Sequence, residues 1–446
     1  MKLRSSFLPF FVLLIANMIP VSCQSDKELM KQSDFQRIAF THANVVPMTT
    51  DTVLIDYTVI VDKGMIVSMG AFDEIAVPEG FKKIDIHGKY LMPGLIDMHV
   101  HVSDDADMLK FVQHGVTTVR NMSDVPWWTR MMGFANILKL REQQQRRQII
   151  GPDIYTCGYT LDGDPPVSPM NKRITSEKEA QKEIAKEKQR GYDAIKLYDN
   201  LSFSAYKSVV AAAAKAGMPV AGHVPHAVPL KELFQDPIIS IEHLTGYIDN
   251  KTAEYSIPKE KIEEYLALNR KSGIYNVPTL AVWACMPPEN GIDSLKNSSQ
   301  YKGLSWHIRW MWKTALPYYY DISYPDRKGY TQHMLNITSD LTYRLYKAGC
   351  PLLIGTDTNI AGTYVGETTW IEMELFVKAG IPVYETLRSA TVLPARALGK
   401  EKEIGTIEPG KRANLIIIGE NPLDNISHIR GVQWIYSNGY LIESRK

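Results

Sequence analysis

Side chains that bind metals or carry protons stand at the ends of several short apolar stretches in this 446-residue sequence. They are His99, His101, Lys196, His223, His243 and Asp357. If each stretch is a strand, its two-residue period directs the imidazoles of His99 and His101 to the same face. Imidazole nitrogens and carboxylate oxygens are ligands for Zn²⁺, and one tetrahedral ion needs only four of them. The set therefore predicts a centre with two divalent ions, for which zinc is the first choice.

Lys196 is the unusual member of this set, because an ammonium group beside a divalent cation is repelled. A buried lysine is also costly unless it is neutralised or paired. A carbamate, formed from CO2 and the neutral amine, would make Lys196 an oxygen ligand that bridges both ions, and this is the interpretation we favour. The alternative is a salt bridge from Lys196 to Asp357, beside a single ion held by His99, His101 and one further ligand.

The elements that must position these side chains follow a repeated order of a polar helix, a glycine and an apolar strand. Glycine suits the left-handed backbone at a helix end, and near-continuously apolar strands are typical of a sheet covered on both faces. The predicted strands are 95–101, 116–121, 149–155, 192–196, 218–223, 238–243, 274–279 and 350–357. Eight such units close a TIM-like (β/α)8 barrel, whose active sites lie at the carboxyl ends of the strands. An open doubly wound sheet is disfavoured, because no GxGxxG fingerprint follows an early strand.

Strand patterns also flank the predicted barrel. Residues 37–48 and 58–69 alternate in hydropathy, with a hairpin signal at Asp62-Lys63-Gly64, and residues 413–418 and 432–436 are again rich in β-formers. A connection as long as residues 284–328 is usually functional on this fold. The predicted organisation is a β-sandwich built from 37–92 and 400–446, a barrel over 93–399, and a lid segment at about 284–328.

Bulk composition excludes several classes of partner. The chain has 50 basic and 49 acidic residues and a net charge of +1, which gives no indication of nucleic acid or an anionic membrane surface. Its four cysteines lie far apart without a CxxC pair, which argues against a disulfide scaffold and a thiolate zinc finger. A small molecule is therefore the expected partner.

The amino terminus has the pattern of an export signal. Its apolar run over residues 7–19 follows basic residues and is too short to span a bilayer. We predict a signal peptide over 1–22, a lipid anchor on Cys23 as in bacterial lipoproteins, and a tether over 23–36. The protein is then expected in the periplasm or cell envelope of a bacterium, with this anchor as its membrane contact. Cleavage without lipidation is the alternative.

Taken in order, the motifs resemble those of the metal-dependent amidohydrolase superfamily. They are Pro93-Gly94-Leu95-Ile96-Asp97-Met98-His99-Val100-His101, Gly115-Val116-Thr117-Thr118-Val119-Arg120, Ile195-Lys196-Leu197-Tyr198, Ala221-Gly222-His223, Glu242-His243 and Gly355-Thr356-Asp357. Residues 390–399 and 405–411 resemble its closing helix and the return to the β domain. The most similar subgroup includes imidazolonepropionase-related enzymes and Xaa-Pro or Xaa-Arg dipeptidases, with two zinc ions bridged by a carboxylated lysine.

The resemblance implies a role for each candidate ligand: His99, His101 and Asp357 on one metal, His223 and His243 on the other, and Lys196 as the carboxylated bridge. The sequence departs from the family pattern at Asn414, where an acidic residue is usual. It departs again at Leu161-Asp162-Gly163-Asp164-Pro165-Pro166, where relatives often carry Gly-His. This loop is expected over the site, so no relative's substrate can be carried over.

The expected chemistry is hydrolysis. A water between two divalent ions loses its proton near neutral pH and attacks a carbonyl that one ion polarises. Asp357 is expected to collect that proton and return it to the leaving nitrogen. Tyr198 either steadies the developing oxyanion or packs within the barrel. Outside this set, His307 is expected at the surface or in the lid.

The predicted substrate is a small molecule with a C–N amide bond, such as a dipeptide, an N-acyl amino acid or a cyclic amide. A lactone or ester hydrolase is the alternative within enzymes, because the same hydroxide attacks either carbonyl. A tethered, non-catalytic ligand-binding lipoprotein is the alternative from another class. A binder of that kind would not need all six ligand positions.

Overall fold

The computed structural model describes residues 37–248, 256–287, 291–321 and 327–444. The predicted signal peptide (1–22), Cys23 and the tether (23–36) lie outside the described residues. Within the described ranges, no helix combines the length and the apolar character needed to cross a membrane.

Strands and helices alternate along the middle of the chain, and strands predominate at both ends. The strands are β1 (Arg37–Val45), β2 (Leu54–Asp62), β3 (Met65–Ala71), β4 (Lys82–Asp85), β5 (Tyr90–Pro93), β6 (Leu95–Val100), β7 (Val116–Asn121), β8 (Asp153–Asp162), β9 (Lys172–Arg173), β10 (Ala194–Leu197), β11 (Val220–Gly222), β12 (Ile238–Glu242), β13 (Tyr275–Val277), β14 (Leu415–Ile418), β15 (Val432–Ser437) and β16 (Tyr440–Glu443). The α-helices are α1 (Asp105–Gln113), α2 (Ile137–Gln145), α3 (Glu177–Arg190), α4 (Phe203–Ala216), α5 (Leu230–Leu233), α6 (Ile262–Ser272), α7 (Leu280–Cys285), α8 (Ser299–Lys302), α9 (Trp306–Asp321), α10 (Arg327–Lys347), α11 (Glu367–Lys378), α12 (Val383–Ser389) and α13 (Val392–Ala397). Short 3-10 helices cover Trp127–Met132, Gly291–Ser294 and Ile426–Gly431.

The central strands form a parallel sheet that curves into a barrel. Its order is β6-β7-β8-β10-β11-β12-β13, and the short strand β9 pairs with β8. The segment predicted as the eighth strand bridges the gap between β6 and β13, through Val100 with Thr358 and through Asn276 with Leu352. The structure therefore confirms the predicted α/β barrel.

The eighth segment departs from a regular strand. The sequence predicts a strand over residues 350–357, whereas the structure shows isolated bridges there. Met98 N donates to Ile354 O at 2.9 Å, but Ile354 N donates to Ser389 O, also at 2.9 Å. Because the backbone of Ile354 divides its hydrogen bonds between β6 and the end of α12, no continuous ladder forms.

The third barrel strand lies further along the chain than the sequence predicts. The structure places it at Asp153–Asp162, not at 149–155. Pro152 lacks the N–H that a ladder requires, so the apolar residues before it stay outside the strand. The carboxyl end of β8 is consequently Asp162, which brings the loop that follows it to the mouth of the barrel.

Helix α3 shows how the local sequence sets the helical layer. Ser176 accepts from Glu179 N at its start, and Gly191 ends it with a left-handed φ of 86°. The glycine at the helix end is the feature that the repeated order of helix, glycine and strand predicts. The Glu179 carboxylate in turn accepts from Thr175 N at 2.8 Å, so side-chain bonds run in both directions at this helix start.

Strands from both chain ends join in a single β domain, as predicted. They form one hydrogen-bonded sheet of order β16-β15-β14-β5-β1-β2-β3, with β4 beside β1. The predicted hairpin connects β2 and β3, and its turn residues Lys63 and Gly64 have φ values of 50° and 78°. Phe40, Leu91 and Ile417 share one buried cluster, so strands from both ends of the sequence contribute to the same core.

The described part of the lid segment (residues 284–328) rests on the mouth of the barrel. Ile308 and Trp312 of α9 belong to an apolar cluster separate from the barrel core. The same cluster contains Val282 of α7, Phe134 from the loop after β7, and Ile360 from the loop after the eighth segment. The segment therefore packs on three loops at the carboxyl ends of the barrel strands.

Candidate metal centre

The carboxyl end of β6 positions the first two predicted ligands. The rings of His99 and His101 have centroids 5.4 Å apart. Their Nε2 atoms approach the same oxygen, Oδ1 of Asp357, at 3.3 Å and 3.1 Å. One ligand atom from each of these three residues lies within 4.8 Å of the others, a grouping that could hold a metal ion. The structure thus brings together His99, His101 and Asp357, the three residues that the resemblance implies as ligands of one metal.

Asp357 reaches these imidazoles because its backbone is held against β6. Its N donates to His99 O at 2.7 Å, and its φ of 55° is left-handed. Gly355 lies so close to β6 that a Cβ on it would stand 2.8 Å from the His99 Cβ. This close approach of two backbones accounts for the glycine in the Gly355-Thr356-Asp357 motif.

His243 and His223 continue the row of imidazoles from the ends of β12 and β11. Ring centroids are 4.6 Å apart between His99 and His243, and 4.9 Å apart between His243 and His223. Nε2 of His243 lies 3.9 Å from Asp357 Oδ2. Among the described residues, Nε2 of His99 and Nε2 of His223 are buried without a hydrogen-bond partner. A buried polar atom left in this state is costly, so both nitrogens fit metal ligands.

Lys196 lies on β10, the strand next to β11, and is 3% exposed. Burial lowers the pKa of its ammonium group, against the opposing effect of the Asp357 and Glu242 carboxylates. The ion pairs of Asp357 in the described structure are with three histidines, and none is with Lys196. Carbamate formation requires the neutral amine, which this environment favours. The alternative salt bridge between Lys196 and Asp357 is not formed.

Tyr198, a candidate for substrate contact, stacks on one of the predicted ligands. Its ring centroid lies 4.2 Å from that of His223, with an angle of 31° between the planes. Nζ of Lys196 lies 5.8 Å from the centroid of the same ring. These contacts fit the interpretation in which Tyr198 packs within the barrel, here against the His223 ring.

A buried charge network behind His99 was not predicted from the sequence. Glu242 Oε2 accepts from Nδ1 of His99 at 2.7 Å, and Glu242 Oε1 accepts from Nη2 of Arg120 at 2.8 Å. Arg120 Nε also donates to Met98 O at 2.7 Å. Burial alone would raise the pKa of Glu242, but the Arg120 guanidinium and the His99 ring hold it well below its usual range. The available signal was the presence of charged residues inside apolar strands, where burial requires a partner.

The other three imidazoles are oriented in the same way, each through its Nδ1 atom. The pairs are His223 with Asp199 Oδ1 at 2.8 Å, His243 with Thr279 Oγ1 at 2.7 Å, and His101 with Ser123 Oγ at 3.1 Å. This leaves Nε2 of each ring facing the centre, an arrangement usual for metal-binding histidines. Burial lowers the pKa of His101 to about 4 and that of His243 well below its ordinary value. Both rings are therefore neutral near pH 7 and able to bind a cation.

Asp97 is a second buried carboxylate that sequence reasoning did not single out. It accepts from Thr356 Oγ1 and Thr369 Oγ1, each at 2.9 Å. These bonds join β6 to the segment before Asp357 and to α11. Burial raises the pKa of Asp97 to about 6. Asp97 thus fixes the relative position of the strands that carry His99 and Asp357.

The loop after β8, which the sequence predicts to lie over the site, is organised by Asp162. Its carboxylate accepts from the backbone N of Gly163, Val167 and Asn200, and from the Asn171 side chain, at 2.7 to 2.9 Å. A Cβ on Gly163 would stand 1.7 Å from Asn200 O. The loop is therefore fixed to the loop after β10, which follows Lys196 and Tyr198.

A barrel with histidine, lysine and aspartate side chains converging at its mouth defines a class of metal-dependent hydrolases. The sequence model of the Amidohydrolase family matches residues 90–435, so the chain belongs to this family. This membership confirms the predicted superfamily. It also supports the predicted enzyme class, hydrolases acting on C–N bonds.

Individual relatives share short sequence segments or the fold. An imidazolonepropionase from Flavobacterium johnsoniae is 33% identical over 85 residues, which cover 19% of this chain and 21% of the relative. The chain thus matches about a fifth of the length of that curated relative. The structure of a Xaa-Pro dipeptidase with bound methionine has a TM-score of 0.68 at 22% identity, covering 91% of this chain and 100% of that one. Bottromycin amidohydrolase has a TM-score of 0.75 at 20% identity, covering 96% and 92%. At these identities, both structures show that the fold is shared.

Proposed function

We propose that this chain is an exported, metal-dependent hydrolase that cleaves a C–N amide bond in a small molecule. The substrate classes we propose are dipeptides, N-acyl amino acids and cyclic amides. The proposal is carried by the convergence of three imidazoles on the Asp357 carboxylate, with the His223 ring beside that of His243. Two buried Nε2 atoms of this group, those of His99 and His223, have no hydrogen-bond partner in the described structure. Membership of the Amidohydrolase family supports the same reaction class.

Two divalent ions, with Zn²⁺ as the first choice, fit the donor set of nitrogen and oxygen atoms. The residues that would hold them are His99, His101 and Asp357 for one ion, His223 and His243 for the other, and Lys196 as a carbamate for both. When bound, such ions lower the pKa of water and polarise a carbonyl oxygen. The protein contributes a fixed geometry, because the partner at each Nδ1 determines which way the imidazole faces.

We propose that Asp357 transfers the proton of the attacking water to the leaving nitrogen. Burial alone would raise its pKa, but the imidazoles of His99, His243 and His101 hold the pKa of this carboxyl well below its usual range. Asp357 is thus ionised before the reaction and can accept a proton from the attacking water. It then passes this proton to the leaving nitrogen, so that the C–N bond breaks with departure of a neutral amine.

The test is a substrate screen combined with metal analysis. The purified chain, supplied with Zn²⁺, is assayed against dipeptides and N-acyl amino acids, with ester and lactone analogues in parallel. We expect about two ions per chain and amide hydrolysis that chelation abolishes and added metal restores. His223→Asn should lower metal content and activity, whereas His226→Asn, on an exposed residue of the same loop, should change neither.

Other outcomes would replace this proposal. Turnover of the lactones or esters without amide turnover would identify the alternative hydrolase. A folded chain that binds a ligand without metal and without turnover would identify a binding protein.

We also propose that export ends in lipidation of Cys23 in a bacterial cell envelope. The apolar run followed by cysteine supports this localisation. Expression of the full chain in a bacterium should place it in the membrane fraction, and Cys23→Ser should release it. Cys285→Ser, which alters a cysteine at the start of the lid segment, is the control and should stay in the membrane fraction. Release of the unaltered chain would favour cleavage without an anchor.

A further inference from the structure

Helix α9 of the lid segment carries three tryptophans, of which one is buried. Trp312 is 1% exposed, whereas Trp306 and Trp310 are 58% and 47% exposed. The indole Nε1 of Trp312 donates to Asn359 O at 2.9 Å. Trp312 therefore connects the lid segment to a backbone carbonyl two residues after Asp357.

Asn359 makes a second connection through its side chain, which is buried. Its Nδ2 lies 3.1 Å from His101 O, 3.0 Å from Ser103 Oγ and 3.1 Å from Asp107 Oδ2. One residue thus bonds the lid segment through its carbonyl and the loop after β6 through its amide. Asn359 thus bonds to His101 and lies two residues after Asp357, and both of these residues are proposed ligands of the same metal.

A second side chain of α9 contacts the neighbouring loop. His307 is 3% exposed, so it lies in the lid segment, as expected, but not at the surface. Its ring centroid is 4.8 Å from that of Phe134, and a Cβ on Gly133 would stand 2.7 Å from His307 Nδ1. The amino-terminal part of α9 is therefore anchored to the barrel at two places, Trp312 and His307.

We propose that Trp312 and Asn359 are positioning residues that couple the seating of the lid segment to the geometry of His101 and Asp357. When Trp312 is packed in its apolar cluster, its indole N–H donates to the Asn359 carbonyl. The side-chain amide of Asn359 then donates to the His101 carbonyl. When Trp312 leaves, a buried carbonyl loses its partner, which is unfavourable, and the loop after the eighth segment is released. The lid segment is then part of the support of the metal site as well as a wall for the substrate. The inference rests on the proposed function only for the role of His101 and Asp357 as ligands.

The test compares two tryptophan variants of the same helix. Trp312→Phe removes the indole donor but keeps an aromatic ring in the apolar cluster, and Trp310→Phe is the matched control on the exposed face. Hydrogen exchange is measured on the chelator-treated chain, so that it does not depend on metal. The informative amides are those of His101 and Asp357, which donate to Thr358 O and His99 O. We expect exchange to be about tenfold faster in Trp312→Phe and unchanged in Trp310→Phe.

Metal affinity supplies the second readout. Competition with a chromophoric chelator should show Zn²⁺ binding about tenfold weaker in Trp312→Phe than in Trp310→Phe. Asn359→Ala tests the hydrogen bond between Asn359 and His101. It removes the side-chain amide that donates to the His101 carbonyl but keeps the backbone carbonyl that accepts from Trp312. It should weaken Zn²⁺ binding while the indole N–H of Trp312, followed by NMR, exchanges as slowly as in the unaltered chain. If Trp312→Phe does not fold, the Zn²⁺ affinity of Asn359→Ala alone tests the proposal.

The proposal is wrong if Trp312→Phe raises only KM and matches Trp310→Phe in exchange and in metal affinity. It is equally wrong if Asn359→Ala binds Zn²⁺ as tightly as the unaltered chain. Failure of the proposed function gives a different result. The variants would then differ in hydrogen exchange as expected, while the unaltered chain binds metal and hydrolyses no amide.

Discussion

Individual residues of the metal centre are held in charge states that suit their proposed roles. The pKa of the Asp357 carboxyl is held well below its usual range, with His99 as the strongest favourable neighbour, and burial lowers the pKa of His101 and His243. Each imidazole uses Nδ1 for a protein partner, which leaves Nε2 for the centre. The consequences of this arrangement are best tested one side chain at a time.

Asp357→Asn separates metal binding from proton transfer. Asparagine keeps an oxygen in the same place but cannot carry the proton, so kcat should fall by about 10² to 10⁴ while metal remains bound. Steady-state kinetics and metal analysis by mass spectrometry measure the two effects. Asp340→Asn, on an exposed residue of α10 paired with Arg344, is the control and should keep full activity. Undiminished turnover in Asp357→Asn would remove the proton-transfer role.

Glu242→Gln tests the charge network behind His99. The change leaves the Arg120 guanidinium buried beside a neutral group, which should lower the free energy of unfolding by about 3 to 5 kcal/mol. It should also weaken metal binding, because His99 loses the acceptor that orients it. Urea denaturation and chelator competition are the measurements. Glu374→Gln breaks a partly exposed pair with Arg430 and should cost at most about 1 kcal/mol. Equal costs for the two variants would contradict the role given to Glu242.

At the scale of elements, the loop after β8 shows how a connection between strands is fixed in this fold. The loop after β8 is held to the loop after β10 by the hydrogen bonds of Asp162 and by the close approach of Gly163 to Asn200. A surface loop without such bonds would be free to vary in position. The loop after β8 therefore keeps a fixed position relative to the loop after β10.

Gly163→Ala should displace this loop. The added Cβ would stand 1.7 Å from Asn200 O, a backbone atom that cannot rotate away. We expect a loss of about 1 to 3 kcal/mol in the free energy of unfolding, measured by thermal or urea denaturation. Gly303→Ala is the control, since its nearest neighbour would be 3.4 Å away, and should change stability by less than about 0.5 kcal/mol. A neutral Gly163→Ala would show that the two loops separate readily.

The molecule as a whole carries several buried carboxyl groups outside the metal centre. Burial raises the pKa of Glu187 and of Glu372 to about 8, and that of Asp107 to about 7. In each case the folded chain keeps a proton that the unfolded chain releases at lower pH. The folded state thus binds more protons, so stability falls as pH rises toward these values. Histidines with a lowered pKa act in the opposite direction, but only below their ordinary value of 6.5.

The free energy of unfolding should therefore decrease between pH 6.5 and pH 8, with a contribution of about 1 to 2 kcal/mol from Glu187. Glu187→Gln should remove this contribution, because glutamine can still accept from Tyr159 N without carrying a charge. Urea denaturation of the metal-free chain at both pH values measures the effect. Glu142→Gln, on an exposed residue, should leave the pH dependence unchanged. A stability that does not change over this interval would show that Glu187 ionises in the folded chain.

Much of the architecture follows from local patterns in the sequence. The two-residue period places His99 and His101 together, and the repeated order of helix, glycine and strand predicts the barrel. Because barrel active sites lie at the carboxyl ends of the strands, the positions of Lys196, His223 and Asp357 indicated one common site. The hairpin signal likewise identified the β2–β3 turn.

Other features depend on contacts that no local pattern encodes. Glu242 and His99 are separated by 143 positions, and Ser240 and Arg120 by 120 positions, yet they form one buried network. The connection from Trp312 through Asn359 to His101 likewise joins three distant segments, and the eighth segment lost its ladder to a bond from Ile354 to Ser389. Periodicity determines which face of an element a side chain occupies. Only the packing of elements against one another decides which distant polar atoms become buried together and must therefore pair.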